Sequence, residues 1–104
     1  MLWIKALAAE NVENDDVVRW DYGERTFAIY RTEDDEYFAS DGLCTHEQVH
    51  LADGLLMEYE IECPKHNGRF DIRDGSARRA PVCEALKTYS VKIEDGVIFI
   101  GLEE

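Results

Sequence analysis

The sequence predicts an all-β domain, either a β-sandwich or a small barrel. Short runs rich in β-branched and aromatic residues alternate with turn signals along the 104 residues. No long stretch repeats its apolar residues with the 3.6-residue helical period, and only residues 6–14 could hold a short helix. Asp95-Gly96 stands between two β-rich runs and predicts a tight hairpin, because both turn positions require positive φ.

The expected strands follow one another in short units. The first two are separated by the turn DYGE, and the third follows the acidic turn at residues 32–36. The last two flank Asp95-Gly96. Their key residues are Val17, Val18 and Trp20, then Phe27, Ile29 and Tyr30, then Tyr37 and Phe38, then Tyr89, Val91 and Ile93, and finally residues 97–102. Trp3 and Trp20 are expected in the core of this framework.

The charge and the cysteine count exclude several classes of function. The net charge is −12, which argues against a nucleic-acid partner, since such proteins need a basic surface. The apolar runs are too short to cross a bilayer, and the N-terminus lacks the basic start of a signal peptide. Three cysteines are an odd number, which favours a reducing compartment. We therefore expect a cytoplasmic protein that binds neither nucleic acid nor a membrane.

Residues 40–82 differ from the rest of the chain. They are rich in Gly, Asp and Pro, and they contain all three histidines together with Cys44 and Cys63. Turn signals recur at Asp41-Gly42, Asp53-Gly54 and Asn67-Gly68. This composition predicts a loop-rich insertion that carries the functional residues.

One motif in this insertion is typical of zinc peptidases. His46, Glu47 and His50 form HEQVH, which fits the H-E-x-x-H pattern of two histidines on one helix face with a glutamate base. The flanking Asp-Gly signals leave little room for the supporting helix, and the one downstream histidine is His66. The peptidase hypothesis is therefore disfavoured. His50 is then expected to be a surface or interface residue, and Glu47→Gln should hardly affect the protein.

A second pattern uses more of the same residues. Cys44 and His46 form CTH, and Cys63 and His66 form CPKH, with 16 residues between His46 and Cys63. Each loop thus offers one thiolate and one imidazole. A single zinc ion could use these four ligands, but zinc modules usually group like residues. Mixed pairs better suit a two-iron centre with thiolates on one iron and imidazoles on the other.

With the motif C-x-H-x16-C-x2-H, the sequence resembles the Rieske family. This resemblance implies one Rieske domain over residues 1–104, with an antiparallel β-sandwich base at about 1–40 and 80–104. It also implies a loop-rich cluster-binding subdomain at about 41–79 that carries one [2Fe–2S] cluster. In the family's pattern, Cys44 and Cys63 would bind one iron, and His46 and His66 would bind the other.

Four positions differ from the Rieske proteins of respiratory complexes. Val49 and Lys65 stand where those proteins have a disulfide, and Gly68 and Phe70 replace a Ser and a Tyr whose hydroxyls contact the sulfurs. Fewer hydrogen bonds to the sulfurs stabilise the reduced state less, so the reduction potential falls. The resemblance is therefore to the low-potential ferredoxins of oxygenase systems.

The function implied is one-electron transfer from a flavin-dependent NAD(P)H reductase to a terminal Rieske non-haem iron oxygenase, as in aromatic hydrocarbon catabolism. The chain is too short to include the oxygenase catalytic domain, so we expect a carrier and no enzyme. Partners would dock transiently at the cluster tip, near Lys65 and Arg69. The alternatives are a small subunit of an assimilatory nitrite reductase and a zinc-stabilised interaction module. Cys83 is expected to be an unreactive thiol.

Overall fold

The computed structural model describes residues 1–82 and 84–103, which form two antiparallel sheets. The fold class is all-β, as predicted. The strands in the described residues are β1 (Leu2–Ala8), β2 (Asp16–Tyr22), β3 (Arg25–Arg31), β4 (Tyr37–Asp41), β5 (Leu55–Met57), β6 (Glu60–Glu62), β7 (Arg69–Asp71), β8 (Ala77–Arg79), β9 (Thr88–Glu94) and β10 (Val97–Leu102).

The first sheet has six strands in the order β1-β10-β9-β4-β3-β2. Its two halves meet where Ala39 of β4 pairs with Tyr89 of β9. The halves enclose one apolar core that includes Phe27, Ile29 and Ile98. This sheet therefore forms a framework that holds the remaining part of the chain.

The hairpin between β9 and β10 forms as the Asp-Gly signal predicted. Val97 pairs with Glu94, and the two residues between them, Asp95 and Gly96, have φ of 50° and 74°. Both values lie in the left-handed region that the tight hairpin turn requires.

Residues 6–14 do not form an α-helix. β1 continues to Ala8, which pairs with Val97, and a single 3-10 turn covers Ala9–Asn11. Pairing with β10 thus overrides the local helical tendency. Within residues 1–82 and 84–103, no helix is long and apolar enough to cross a membrane.

The second sheet has four strands in the order β5-β6-β7-β8 and lies in the segment between β4 and β9. The two ends of this segment are joined, because the Asp41 N–H donates to the Lys87 carbonyl at 2.9 Å. A further bond runs from the Leu86 N–H to the Gly75 carbonyl at 2.7 Å. Gly75 has φ +80°, and a Cβ there would lie 1.7 Å from the Leu86 oxygen, so this approach requires glycine.

β3 is buried on both of its faces. Phe27 and Ile29 belong to the core of the six-stranded sheet, whereas Ala28 and Tyr30 belong to a second core. That second core also contains Cys44 and Cys63. The alternation of side chains along β3 therefore connects the framework directly to the segment that carries the candidate ligands.

Candidate metal centre

The first candidate loop, residues 43–50, is closed at its base by backbone pairing. Leu43 and His50 form an isolated antiparallel bridge, and the Cys44 N–H donates to the Val49 carbonyl at 3.0 Å. This closure leaves Cys44 only 2% exposed, while His46 lies on the surface. The loop thus directs one thiol inwards and one imidazole outwards.

The second candidate loop, residues 63–68, joins β6 to β7. The Cys63 N–H donates to the Gly68 carbonyl at 2.7 Å, and the Asn67 N–H donates to the Cys63 carbonyl at 3.2 Å. Asn67 has φ 60°, a left-handed conformation that asparagine tolerates better than most residues. Cys63 is 1% exposed, and the His66 side chain is 43% exposed. The second loop therefore repeats the arrangement of the first.

The two loops bring their side chains together. The ring centroids of His46 and His66 are 5.5 Å apart in an edge-to-face arrangement. Cys44 and Cys63 share one apolar core with Leu51. Burial raises the pKa of the Cys44 thiol, and Cys63 adds to this effect. The Cys44 thiol therefore resists losing its proton to water, whereas a bound metal ion deprotonates its thiol ligands.

Glu47 connects the two loops at the surface. His66 Nε2 lies 3.0 Å from Glu47 Oε1, and Lys65 Nζ lies 3.8 Å from Glu47 Oε2. The hydrogen bond from His66 lowers the pKa of the Glu47 carboxyl, and Lys65 adds to the effect. Sequence reasoning missed this contact, because the two residues are 19 positions apart. The one hint of this contact in the sequence was that Glu47 directly follows the candidate ligand His46.

The zinc-peptidase motif does not form a zinc-binding helix. Residues 46–50 have no helical structure, and His50 is 7% exposed within the chain, so the prediction of a surface or interface His50 was wrong. Its Nδ1 accepts a bond from the Ala52 N–H at 3.0 Å. Since that nitrogen accepts, the proton is on Nε2, which donates to Thr26 Oγ1 at 2.8 Å. His50 therefore attaches the first loop to β3, and its two ring nitrogens are both used in hydrogen bonds to Ala52 and Thr26.

The positions that differ from respiratory Rieske proteins have distinct surroundings. Lys65 is exposed and Val49 is half-buried. Phe70 is fully buried, and a Cβ at Gly68 would lie 2.6 Å from Val82 Cγ1. Val82 thus occupies the space that a side chain at position 68 would need.

Two further predictions concern Arg69 and Cys83. Arg69 forms ion pairs with Glu62 at 3.2 Å and with Glu60 at 3.7 Å, so acidic residues of β6 partly offset its charge. Cys83 lies outside the described residues.

The donor set fits an iron–sulfur cluster with mixed ligands. Each loop supplies one buried thiol, and the two imidazoles lie next to each other at the surface. Soft thiolates and imidazoles are both ligands that iron accepts in such clusters. The fold and the candidate residues together have the features expected of an all-β protein with a mixed cysteine–histidine metal centre.

Comparison with known families gives the same class. The family model of the Rieske [2Fe-2S] domain matches residues 2–90 of the chain. The protein belongs to the Rieske [2Fe–2S] family.

Among curated proteins, the chain is 43% identical over 100 residues to the ferredoxin component of the naphthalene 1,2-dioxygenase system of Pseudomonas putida, covering 96% of this chain and 95% of the relative. Among solved structures, it is similar to the Sphingomonas yanoikuyae B1 ferredoxin, with a TM-score of 0.91, 35% identity and coverage of 98% and 100% of the two chains. It also resembles a chain from a complex of reduced oxygenase and oxidised ferredoxin in carbazole 1,9a-dioxygenase, with a TM-score of 0.87, 28% identity and coverage of 97% of both chains.

Proposed function

We propose that four side chains hold the [2Fe–2S] cluster of this Rieske protein. Cys44 and Cys63 would bind one iron as thiolates, and His46 and His66 would bind the other. The support is that both thiols are buried in one apolar core, at 2% and 1% exposure, while the two imidazoles are neighbours at the surface. When bound, the cluster supplies reversible one-electron chemistry.

The protein works as an electron carrier in an oxygenase system and not as the catalytic enzyme. The observation that carries this function is the exposed histidine pair, since ligands at the surface let a partner approach the cluster closely. The relatives are named as ferredoxin components of dioxygenase systems. The apolar core around Cys44 and Cys63, which includes Leu51 and Phe70, keeps water from the thiol side of the site.

The partners follow from this role. The protein would accept single electrons from a flavin-dependent NAD(P)H reductase and donate them to a terminal Rieske oxygenase, both docking at the tip formed by His46 and His66. The six-stranded sheet would act as the base of one domain, and the segment between β4 and β9 as its cluster-binding subdomain. We place the protein in the cytoplasm, because its buried thiols need a reducing compartment to stay available as ligands.

The two alternative functions are less well supported. The naphthalene and dinitrotoluene dioxygenase relatives favour an oxygenase system over an assimilatory nitrite reductase. A zinc-stabilised interaction module would use the same four residues but is not what the Rieske match indicates.

Metal and sulfide analysis tests the ligand assignment. The purified protein should contain about two irons and two acid-labile sulfides per chain, and Cys63→Ser or His66→Ala should abolish or convert its visible spectrum. His50→Asn is the matched control, since His50 belongs to the same motif but contacts Thr26. That variant should keep its iron. A wild-type protein with stoichiometric zinc and no sulfide would refute the assignment.

Electron delivery tests the carrier role. The protein, reduced anaerobically, should be reoxidised when mixed with an oxidised Rieske oxygenase, and the oxygenase should gain one electron per ferredoxin consumed. The reaction is followed by the visible spectra of both proteins. Absence of transfer to the oxygenase encoded with this chain would contradict the proposed role.

A further inference from the structure

Glu47 is a charged residue in direct contact with the candidate ligand His66. Its Oε1 lies 3.0 Å from Nε2 of His66, and its Oε2 faces Lys65 Nζ at 3.8 Å. Glu47 belongs to the first loop and His66 to the second. The contact therefore joins the two loops directly beside the site.

The chemistry of the pair defines which nitrogen carries the proton. An ionised carboxylate can only accept hydrogen bonds, so Nε2 of His66 must be the donor. In a neutral imidazole, Nδ1 then keeps its lone pair and can bind a metal. Ligating histidines commonly donate their other N–H to a carboxylate, which orients the ring and makes the ligand nitrogen more basic.

We propose that Glu47 is a positioning residue that holds His66 with Nδ1 towards the cluster and lowers the reduction potential of the protein. This inference rests on the proposed function, because it requires His66 to be an iron ligand. It replaces the expectation from sequence that Glu47→Gln would have little effect.

The direction of the effect follows from electrostatics. Reduction adds one negative charge to the site, and a carboxylate bonded to a ligand disfavours that addition. The side chain of Glu47 is 32% exposed, so solvent screens its charge only in part. Lys65 lies on the same carboxylate and offsets some of the effect. Removal of the Glu47 charge should therefore make reduction easier.

The experiment compares Glu47→Gln with Glu24→Gln. Gln keeps the size of Glu47 and an oxygen that can accept from His66, but it removes the charge. Glu24 is exposed and lines a groove with Cys44 and Thr45, so Glu24→Gln removes an equal charge close to the first loop. Protein-film voltammetry at fixed pH and ionic strength gives the reduction potential of each variant. We expect a positive shift for Glu47→Gln that clearly exceeds the shift for Glu24→Gln.

Two more measurements separate positioning from a general charge effect. Glu47→Asp retains the charge and should give a potential closer to that of the wild type than Glu47→Gln does. Pulsed EPR of the reduced protein detects the nitrogens of both histidine ligands. In Glu47→Ala, which removes the acceptor, the signal of one histidine should change while the other stays the same.

The outcomes distinguish this inference from the proposed function. A wild-type protein without iron and sulfide would refute the proposed function itself. A wild-type protein with a normal cluster and equal potential shifts for Glu47→Gln and Glu24→Gln would refute only the role of Glu47. Failure of Glu47→Gln to bind a cluster would also overturn it, since Glu47 would then be required to build the site.

Discussion

Gly68 shows how one missing side chain can influence the site. Its carbonyl accepts the Cys63 N–H at 2.7 Å, so position 68 is adjacent to a candidate ligand. The Rieske resemblance places a hydroxyl here in the high-potential respiratory proteins. The structure adds a steric limit, because a Cβ at this position would lie 2.6 Å from Val82 Cγ1.

We expect a low wild-type reduction potential, near the bottom of the Rieske range at about −150 mV. Gly68→Ser combined with Val82→Ala should raise it, because the serine hydroxyl can donate to a sulfur and the smaller residue at 82 makes room. Val82→Ala alone is the control and should leave the potential close to the wild-type value. Voltammetry of the three proteins tests this, and a wild-type potential above about +100 mV would contradict the argument.

At the scale of single residues, the sequence predicted which side chains come together better than it predicted which side chains are buried. The motif spacing identified the residues that the structure brings together, since His46 and His66 have ring centroids 5.5 Å apart. The burial of His50 depends on Thr26, 24 positions away, and no local pattern records that contact. Trp3 was expected in the core but is 36% exposed. It lies on β1, at the edge of the six-stranded sheet.

At the scale of elements, the first loop depends on its attachment to β3. His50 donates to Thr26 Oγ1, and Thr26 Oγ1 donates to Asp21 Oδ1 at 2.6 Å. Gly42 packs directly against the His50 ring, where a Cβ would lie 2.4 Å from Nε2. This hydrogen-bond chain fixes the loop base to the β2–β3 hairpin. The imidazole must be neutral, because Nδ1 of His50 also accepts the Ala52 N–H.

The neutral His50 predicts a pH dependence of stability. Burial lowers the pKa of His50 in the folded protein, and nearby Arg19 adds to the effect, whereas the ordinary value is 6.5. As the pH falls below about 6.5, the unfolded chain binds a proton that folded His50 resists, so stability decreases. Above that pH the His50 imidazole is neutral in both the folded and the unfolded protein, so it adds no pH dependence to stability.

His50→Asn tests this link. Asn can still accept the Ala52 N–H but cannot titrate, and it loses one hydrogen bond worth about 1 kcal/mol. The variant should unfold faster than wild type in urea at pH 7.5. Unfolding is monitored through the loss of visible absorbance. Between pH 7.5 and 5.5 its unfolding rate should rise less than that of wild type. Equal acceleration in both proteins would show that His50 does not cause the pH dependence.

Strand positions were easier to predict than loop contacts. The runs around Phe27, Tyr37 and Tyr89 became β3, β4 and β9, because alternating apolar residues and turn signals are local properties. The pairing of β4 with β9 could not be predicted, because the two strands are far apart in the sequence and no local pattern records their contact. The same holds for the short strands β5 to β8, whose three residues each carry too little periodicity.

At the scale of the whole molecule, charge is unevenly distributed. The net charge is −12, yet residues 63–104 carry seven acidic and seven basic side chains. Lys65 lies beside the histidine tip and is 55% exposed, although Glu47 partly offsets its charge. An acidic protein with the exposed Lys65 beside its histidine tip would be oriented in the electric field of a partner before contact.

Lys65→Glu should therefore slow electron transfer to the oxygenase at low salt. Such steering acts on association, and salt screens it over a Debye length of about 8 Å at physiological ionic strength. The difference from wild type should become small at about 0.5 M salt. Lys5→Glu, on edge strand β1, is the control with the same change of charge. Stopped-flow rates across a salt series check this, with potentials measured in parallel because Lys65 also contacts Glu47. Equal rates for the two variants at low salt would exclude Lys65 from the docking surface.

The double burial of β3 limits how the protein could be divided or redesigned. Asp41 and Lys87 are already bonded, so a short hairpin could in principle replace everything between them. Such a deletion would expose Ala28 and Tyr30, which are fully buried, to water. The framework is therefore not a separable module onto which other metal sites could be grafted freely. Any replacement segment must supply a new apolar cover for that face of β3. The segment between β4 and β9 therefore helps to keep the six-stranded sheet folded.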